Sequence, residues 1–355
     1  GIFLKKIIYL LLIIIIPVSC VLQKRSPMEL LFKTKIGYGE DELGVVSKNG
    51  IVKTDSIVVS YKNGFFYIAD NINNKIVRTT ERGEILLVIY NPDFNPSFKP
   101  TTAKSESETE TVIFVKLYKD YPVYNPTKIC ADIEKNIYFV NNLPSYKKIE
   151  EDGSFASQMV LKFSNKGEIL FELGKNGIGT SPFGYINNIS TDEKDNLIIQ
   201  EDSNDGIIFY KFTKLGILEK KVKITKGDIP LTAKENDYLV EIIDSKIGSF
   251  ENDIYVTCQF VKEVKDMPSL VKYETVYEKI LKYSISSHKF ERLLLKVTPQ
   301  YFDLSKYAGN SEIKDLYGDK QKVLKPMEAL LGMDENYNLF LSQKDFTVSK
   351  ANINN

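Results

Sequence analysis

The sequence predicts a repetitive all-β body behind an export leader. Two observations carry the fold. Turns rich in Asn, Asp, Gly and Lys are repeatedly followed by short apolar strands, and these units recur at wide intervals from residue 33 onward, a pattern of stacked antiparallel sheets rather than of βαβ crossovers. The composition agrees, since 355 residues at 43% hydrophobic and 26% charged make a globular chain with room for one large all-β domain. Forty-seven basic residues balance 47 acidic ones, so charge indicates neither nucleic acid nor an anionic surface as partner.

The first element is the leader, residues 1–19. "GIFLKKIIYLLLIIIIPVSC" places Lys5 and Lys6 before ten uninterrupted apolar residues, Ile7 to Ile16, and ends on small residues before Cys20. That is the anatomy of a signal peptide. A membrane-spanning helix needs about 20 apolar residues, and this run stops at Pro17, so cleavage is expected. The box Pro17-Val18-Ser19-Cys20 resembles that of bacterial lipoproteins, with Pro17 standing where an aliphatic residue is usual. The resemblance implies that Cys20 carries the lipid, such as palmitate, and that the chain is held at a membrane of the cell envelope, facing the periplasm or the cell surface. One acyl chain alone holds only marginally, at about 0.8 kcal/mol per buried methylene, so two or three would anchor it stably. Residues 20–32 then form a short tether; ten extended residues reach roughly 33 Å.

The body, residues 33–355, repeats one unit: a polar turn, an apolar strand, more polar residues, and a second strand running into Lys-Gly-Glu or its like. The copies are "SYKNGFFYIADNINNKIVRTTERGEILLVIY", "DIEKNIYFVNN" with "MVLKFSNKGEILFELG", "TDEKDNLIIQEDSNDGIIFYKFTKLGILEKKV", "SFENDIYVTCQF" with "YEKILKYSISSHKFERLLLKV", and "GMDENYNLFLSQ". They align at Phe65, Asn136, Asn196, Asp253 and Asn338, with spacings of 71, 60, 57 and 85 residues. A compact propeller blade takes roughly 40 to 45, so insertions are expected. One lies near 91–127, where "NPDFNPSFKPTTAKSESETETV" reads as a flexible surface loop. A second lies near 299–325. "PLTAKENDYLVEI" carries a Thr232-x-x-Glu235 capping box and predicts a short helix.

One such sheet cannot bury both its faces alone, so the repeats are expected to stack around an axis as a β-propeller. "FYIADNINNKIVR" and "ELGKNGIGTSPFGYINNISTDEKDNLIIQ" resemble the NHL-type propeller repeat. With the lipoprotein box, the chain most resembles spirochaete lipoproteins containing six-bladed propellers of this kind. Five copies are visible. The segment "LFKTKIGYGEDELG", which repeats the Gly-rich linker, would complete a closing blade; an open or five-bladed ring is the alternative.

Few residues offer chemistry. "GKNGIGTSPFG", 174–184, has the glycines of a phosphate loop, but its Lys175 precedes Gly177 and a strand is expected next, so no helix dipole faces a phosphate and no nucleotide is expected. The lone histidine, His288, sits in a turn and supports neither a His cluster nor a dyad, while Cys130 and Cys258 lie in apolar strands as buried thiols. Two candidate sites remain. Gluconolactonase-type propellers hold a divalent cation on Glu, Asn and Asp of different blades; no motif of that family is matched here, but Asp70, Asn71, Asn141, Glu201 and Asp202 lie just after apolar strands at equivalent points of three blades, where they would hold calcium or zinc or, on the other reading, bond the backbone of their own turns. The aromatic loops "LYKDYPVYNP" and "TPQYFDLSKY" offer Tyr118, Tyr121, Tyr124, Tyr301, Phe302 and Tyr307 as a binding surface, or as packing for the insertions. The expected function is a lipid-anchored binding or scaffolding module for an envelope protein or glycan, without a cofactor; the alternative is a metal-dependent hydrolase or lactonase.

Overall fold

The computed structural model describes residues 31–44, 46–48, 51–53, 57–99, 102–106, 111–147, 157–174, 183–247, 253–267 and 270–297, and beyond these only strands at 301–303, 322–324, 329–333, 338–342 and 348–352. The leader and Cys20 lie outside them. The fold is all-β with several separate sheets, and no α-helix occurs among the described residues.

Four short strands open the chain: β1 (Lys35–Ile36) pairs in parallel with β2 (Glu42–Leu43), and β3 (Val46–Lys48) pairs antiparallel with β4 (Ile51–Lys53). The first sheet is the antiparallel run β5 (Ile57–Lys62), β6 (Phe65–Asp70), β7 (Lys75–Thr80), β8 (Ile85–Tyr90). In the first insertion β9 (Thr102–Glu106) and β10 (Thr111–Val115) pair as an antiparallel ribbon, and β11 (Leu117–Asp120) joins β8 in parallel as a fifth strand. These segments replace the structureless loop expected there: "TVIFV" has the β-branched composition of a strand, and Leu117 and Tyr118 find apolar cover beside β8.

The second sheet is β12 (Ile129–Ala131), β13 (Ile137–Asn142), β14 (Gln158–Phe163), β15 (Ile169–Leu173). The third is β16 (Tyr185–Thr191), β17 (Leu197–Ser203), β18 (Gly206–Phe212), β19 (Leu218–Thr225), and the fourth is β20 (Leu239–Ile247), β21 (Asp253–Met267), β22 (Leu270–Ser284), β23 (Lys289–Val297). Then β24 (Tyr301–Asp303) pairs with β25 (Lys322–Leu324), and a three-stranded sheet follows of β26 (Ala329–Met333), β27 (Asn338–Ser342) and β28 (Val348–Asn352). The alignment from Phe65 to Asn338 therefore marks one structural position five times: each residue opens, or immediately precedes, the second strand of its sheet.

Local chemistry sets these strands. Asn63 and Gly64, at φ 51° and 80°, form the two-residue turn that pairs Lys62 with Phe65, a geometry that requires positive φ at both positions. The second and third sheets use a different device. The carboxylate of Asp132 accepts the amide of Asn136 and its side-chain N–H, each at 2.8 Å, and Asp192 repeats this on Asn196 at 2.8 and 3.0 Å. Within each turn Lys135 or Asp195 takes the positive φ, 67° or 62°.

Alternation along the strands then buries both faces. Ile137 and Phe139 pack with Tyr67 and Ile76 of the first sheet, whereas Tyr138 and Val140 pack with Leu197, Ile199 and Tyr210 of the third. Ile198 and Phe209 turn the other way, toward Val256 and Phe260 of the fourth. Each layer of side chains thus belongs to two neighbouring sheets, a propeller-like stack. The first strands adjoin one another, β12 lying between β5 and β16, and β20 beside β26. The remaining face of the first sheet, Ile68, Val77, Val88 and Tyr90, is covered by Leu43, Phe98 and Tyr118. The amino-terminal segment thus lies, through Leu43, against the outer face of the first sheet. It is fixed by Lys75, a fully buried ammonium that donates to the carbonyls of Gly39 and Glu42 at 2.6 Å each.

Residues 230–238 correct the helix expected from the capping box. Thr232 and Glu235 form half of it: the Thr232 amide donates to the Glu235 carboxylate at 2.9 Å, but the Glu235 amide donates to the Thr232 backbone carbonyl at 2.8 Å, and the chain makes turns and enters β20 directly. The reciprocal bonds close a single turn; continuing as a helix would leave the period-2 stripe Tyr238, Val240 and Ile242 unpacked from the fourth sheet.

Candidate functional site

Of the positions proposed for a metal, Asp70, Asn141, Glu201 and Asp202 lie within the second strands β6, β13 and β17, and Asn71 lies in the turn directly after β6. Each is held by the fold. Asp70 is fully buried and accepts the amides of Gly44 at 2.8 Å and Asn73 at 3.0 Å and the Asn73 side chain at 2.9 Å; burial raises its pKa against the pull of these donors. Asn71 is engaged as well. Asn141 accepts the Tyr124 amide at 2.6 Å, Glu201 the Tyr210 hydroxyl at 3.1 Å, and Asp202 the Asn187 side chain at 3.0 Å. Among the described residues no group of three or more His, Cys, Asp or Glu is arranged to hold a metal ion.

The tyrosines of the first aromatic loop also have internal partners. Tyr118 donates to Glu40 and stacks near Phe98, Tyr121 donates to Glu172 at 2.7 Å with its ring edge-on to Phe163, and Tyr124 is buried. They bind the insertion to the first and second sheets. Tyr301 and Phe302 fall on β24, whose side chains lie outside the described residues, as does Tyr307 entirely. His288 is exposed in the turn before β23. Cys130 and Cys258 are buried free thiols, burial pushing the Cys258 pKa up to about 12 and that of Cys130 up as well. The glycine-rich stretch runs from β15 to β16, with Gly174 at φ 105°; residues 175–182 lie outside the described residues, and Gly184 is followed at once by a strand.

A cavity of about 380 Å³ does open between the first strands β5, β12 and β16, lined in part by Ser60, Lys62, Lys128, Cys130, Asn188 and Thr191. One edge is tied shut: Lys62 donates to the Thr191 hydroxyl at 2.9 Å and lies 3.8 Å from Asp195, while Thr191 donates to the Ala131 carbonyl at 2.8 Å. Lys128, just before β12, is half-buried; its carbonyl accepts the Val140 amide at 3.0 Å, but its ammonium has no hydrogen bond or ion pair with another described residue. Burial lowers its pKa, the charge of Lys246 on β20 lowers it further, and only Asp202 opposes them. A one-residue bulge at Asn187 leaves Ile186 opposite Glu201 and Asn188 opposite Gln200, so it re-aims β16 where it borders the cavity.

Sequence reasoning placed weight on the second strands and passed over these first-strand lysines. It also passed over a basic residue on each third strand. Lys162, Lys211 and Lys282 face the acids Asp132, Asp192 and Asp253 at 3.4, 3.3 and 2.8 Å. Arg78 on β7 is the counterpart in the first sheet, where the Asn-Gly turn supplies no acid, and it reaches the Lys135 carbonyl of the next sheet at 3.4 Å. The pattern is visible in the aligned copies as "IVR", "LKF", "YKF" and "LKY".

No family model matches the chain, and no curated protein matches it in sequence. Among solved structures it is similar to a luciferin-regenerating enzyme, at 8% identity and TM-score 0.30 over 82% of this chain and 84% of that one. It is similar to a Bacteroides fragilis protein described as exported, at 10% and 0.31 over 88% and 87%. The extracellular region of plexin A4 matches at 12% and 0.35, over 84% of this chain and 32% of that one. At such identities and scores none of these likenesses assigns an activity here.

Proposed function

We propose that this chain is an exported, lipid-anchored binding module: an NHL-like propeller of six blades, tethered through Cys20 to a bacterial membrane, that engages an envelope protein or glycan through its loop face and insertions. The observation that carries the choice of a binder over a metal-dependent hydrolase is the state of the candidate ligands. Asp70, Asn141, Glu201 and Asp202 each serve as acceptor for a donor of the fold, on strands set back from the first-strand cavity. Asp70 in particular is fully buried with both carboxylate oxygens already accepting, so a cation would have to displace the Gly44 and Asn73 donors there. The leader "LLIIIIPVSC" supports export and lipidation, and no helix among the described residues is long and apolar enough to cross a membrane.

The test combines fractionation, cross-linking and metal analysis in the producing bacterium. The wild-type chain should partition with membranes and cross-link reproducibly to one envelope component, Cys20→Ser should leave the membrane fraction, and the purified protein should hold no stoichiometric calcium or zinc. One bound ion per chain, with a large thermal stabilisation on adding it back, would overturn the reading in favour of the hydrolase.

A further inference from the structure

Among the described residues, the buried and half-buried lysines are, as a rule, matched. Lys162, Lys211 and Lys282 face the acid of their own sheet, Lys62 reaches Thr191 and Asp195, Lys246 pairs with Asp244 at 3.1 Å, and Lys75 is held by two carbonyls. Lys128 departs from this rule, and it does so at the wall of a cavity. A partly desolvated ammonium with a second cation nearby is disfavoured while the cavity holds only water, and an anion relieves both the lost hydration and the repulsion. The one acid acting on it, Asp202, forms no ion pair with it and accepts from Asn187 instead.

The rest of the lining suits such a guest. Ser60 and Asn188 supply a hydroxyl and an amide to a polar wall, Val59 leaves an apolar surface 54% exposed, and the volume of about 380 Å³ lies within the range of small-molecule sites. We infer that the cavity between β5, β12 and β16 binds a small organic oxyanion, a carboxylate or a phosphoryl group, with Lys128 as its charge partner. The site is separate from the proposed loop-face partner surface and stands whether or not that surface is confirmed.

Calorimetric titration of the full chain with succinate, glycerol 3-phosphate, inorganic phosphate and neutral glycerol tests it. Succinate or glycerol 3-phosphate should bind and glycerol should not; which of the two is tighter identifies the oxyanion, and a response to inorganic phosphate alone would reject the organic ligand. Lys128→Gln should weaken binding at least about tenfold, the loss expected for one hydrogen bond to a charged group, while Lys128→Arg should stay within about threefold. Ser60→Glu, which sets a carboxylate in the same wall and leaves Lys128 in place, should abolish binding with the thermal transition retained. The inference fails if no anion binds at millimolar concentration, if glycerol binds as well as the anions, or if folded Lys128→Gln keeps the wild-type affinity.

Discussion

Asp132 holds Asn136 through two bonds of 2.8 Å, and Asp192 holds Asn196 through the same pair of bonds one sheet later. The two turns differ in burial. Asp132 is 2% exposed and also faces Lys162, itself 4% exposed, whereas Asp192 is half-buried and its lysine, Lys211, has Glu219 as a second partner. Removing Asp132 therefore leaves a buried ammonium without a counter-ion, held by the Lys214 carbonyl at 2.9 Å, and breaking such a buried pair typically costs about 3–5 kcal/mol. Asp132→Ala should lower the unfolding free energy at least twice as much as Asp192→Ala, and denaturant unfolding of the two variants checks the ratio.

Glu235 gives a pH dependence. Burial alone would raise its pKa, but Lys279 at 2.6 Å, the Thr232 amide and the Tyr277 hydroxyl outweigh that and hold the carboxyl down at about 2. A carboxyl whose folded pKa is depressed contributes stability that is complete above its unfolded pKa, about 4.3, and is lost as pH falls through the folded value. Between pH 5 and about 2 the melting temperature of Glu235→Gln should fall less steeply than that of wild type, and at pH 7 the variant should melt lower. Parallel melting curves over that range would refute this assignment.

Lys75 pins the amino-terminal segment over the first sheet. Lys75→Met keeps the length of the side chain and removes both donated bonds, leaving the Gly39 and Glu42 carbonyls without them at about 1–3 kcal/mol for each group that stays buried. Limited proteolysis should then cut near residues 37–42 faster than in wild type, while cleavage within the second and third sheets keeps its rate.

Two glycines should respond unequally to alanine. Gly64 sits at φ 80° with open space around it, so Gly64→Ala meets only backbone strain of about 1–2 kcal/mol. A Cβ on Gly206 would drive into the Ile224 carbonyl and the backbone of Thr225 on the paired strand β19. Thermal melts should therefore rank Gly206→Ala as the more damaging change.

The buried thiols give a probe of folding. In a Cys20→Ser chain, Cys130 and Cys258 should resist a thiol reagent at pH 8 and react together on unfolding, because burial disfavours the thiolate and blocks access. Fast native-state labelling at either position would contradict the packing described here.

By itself the sequence determined the class of fold and its repeat. Turn chemistry and strand alternation are local, so "KNG", "DIEKN" and "DEKDN" could be read directly as turns, and the five aligned positions fell at or just before the start of the second strand of five sheets. Only the tertiary structure decided what those residues face. Asp70, Glu201 and Asp202 look alike in sequence whether they hold a cation or a backbone amide, and the donors that claim them come from Gly44, Tyr210 and Asn187 on other elements. The capping box at Thr232 could not announce that Tyr238, Val240 and Ile242 gain more by packing as a strand. The cavity was likewise invisible. Lys62, Lys128 and Thr191 are far apart along the chain, and their meeting depends on three sheets stacking in sequence, a consequence of burying both faces of each that no single repeat encodes.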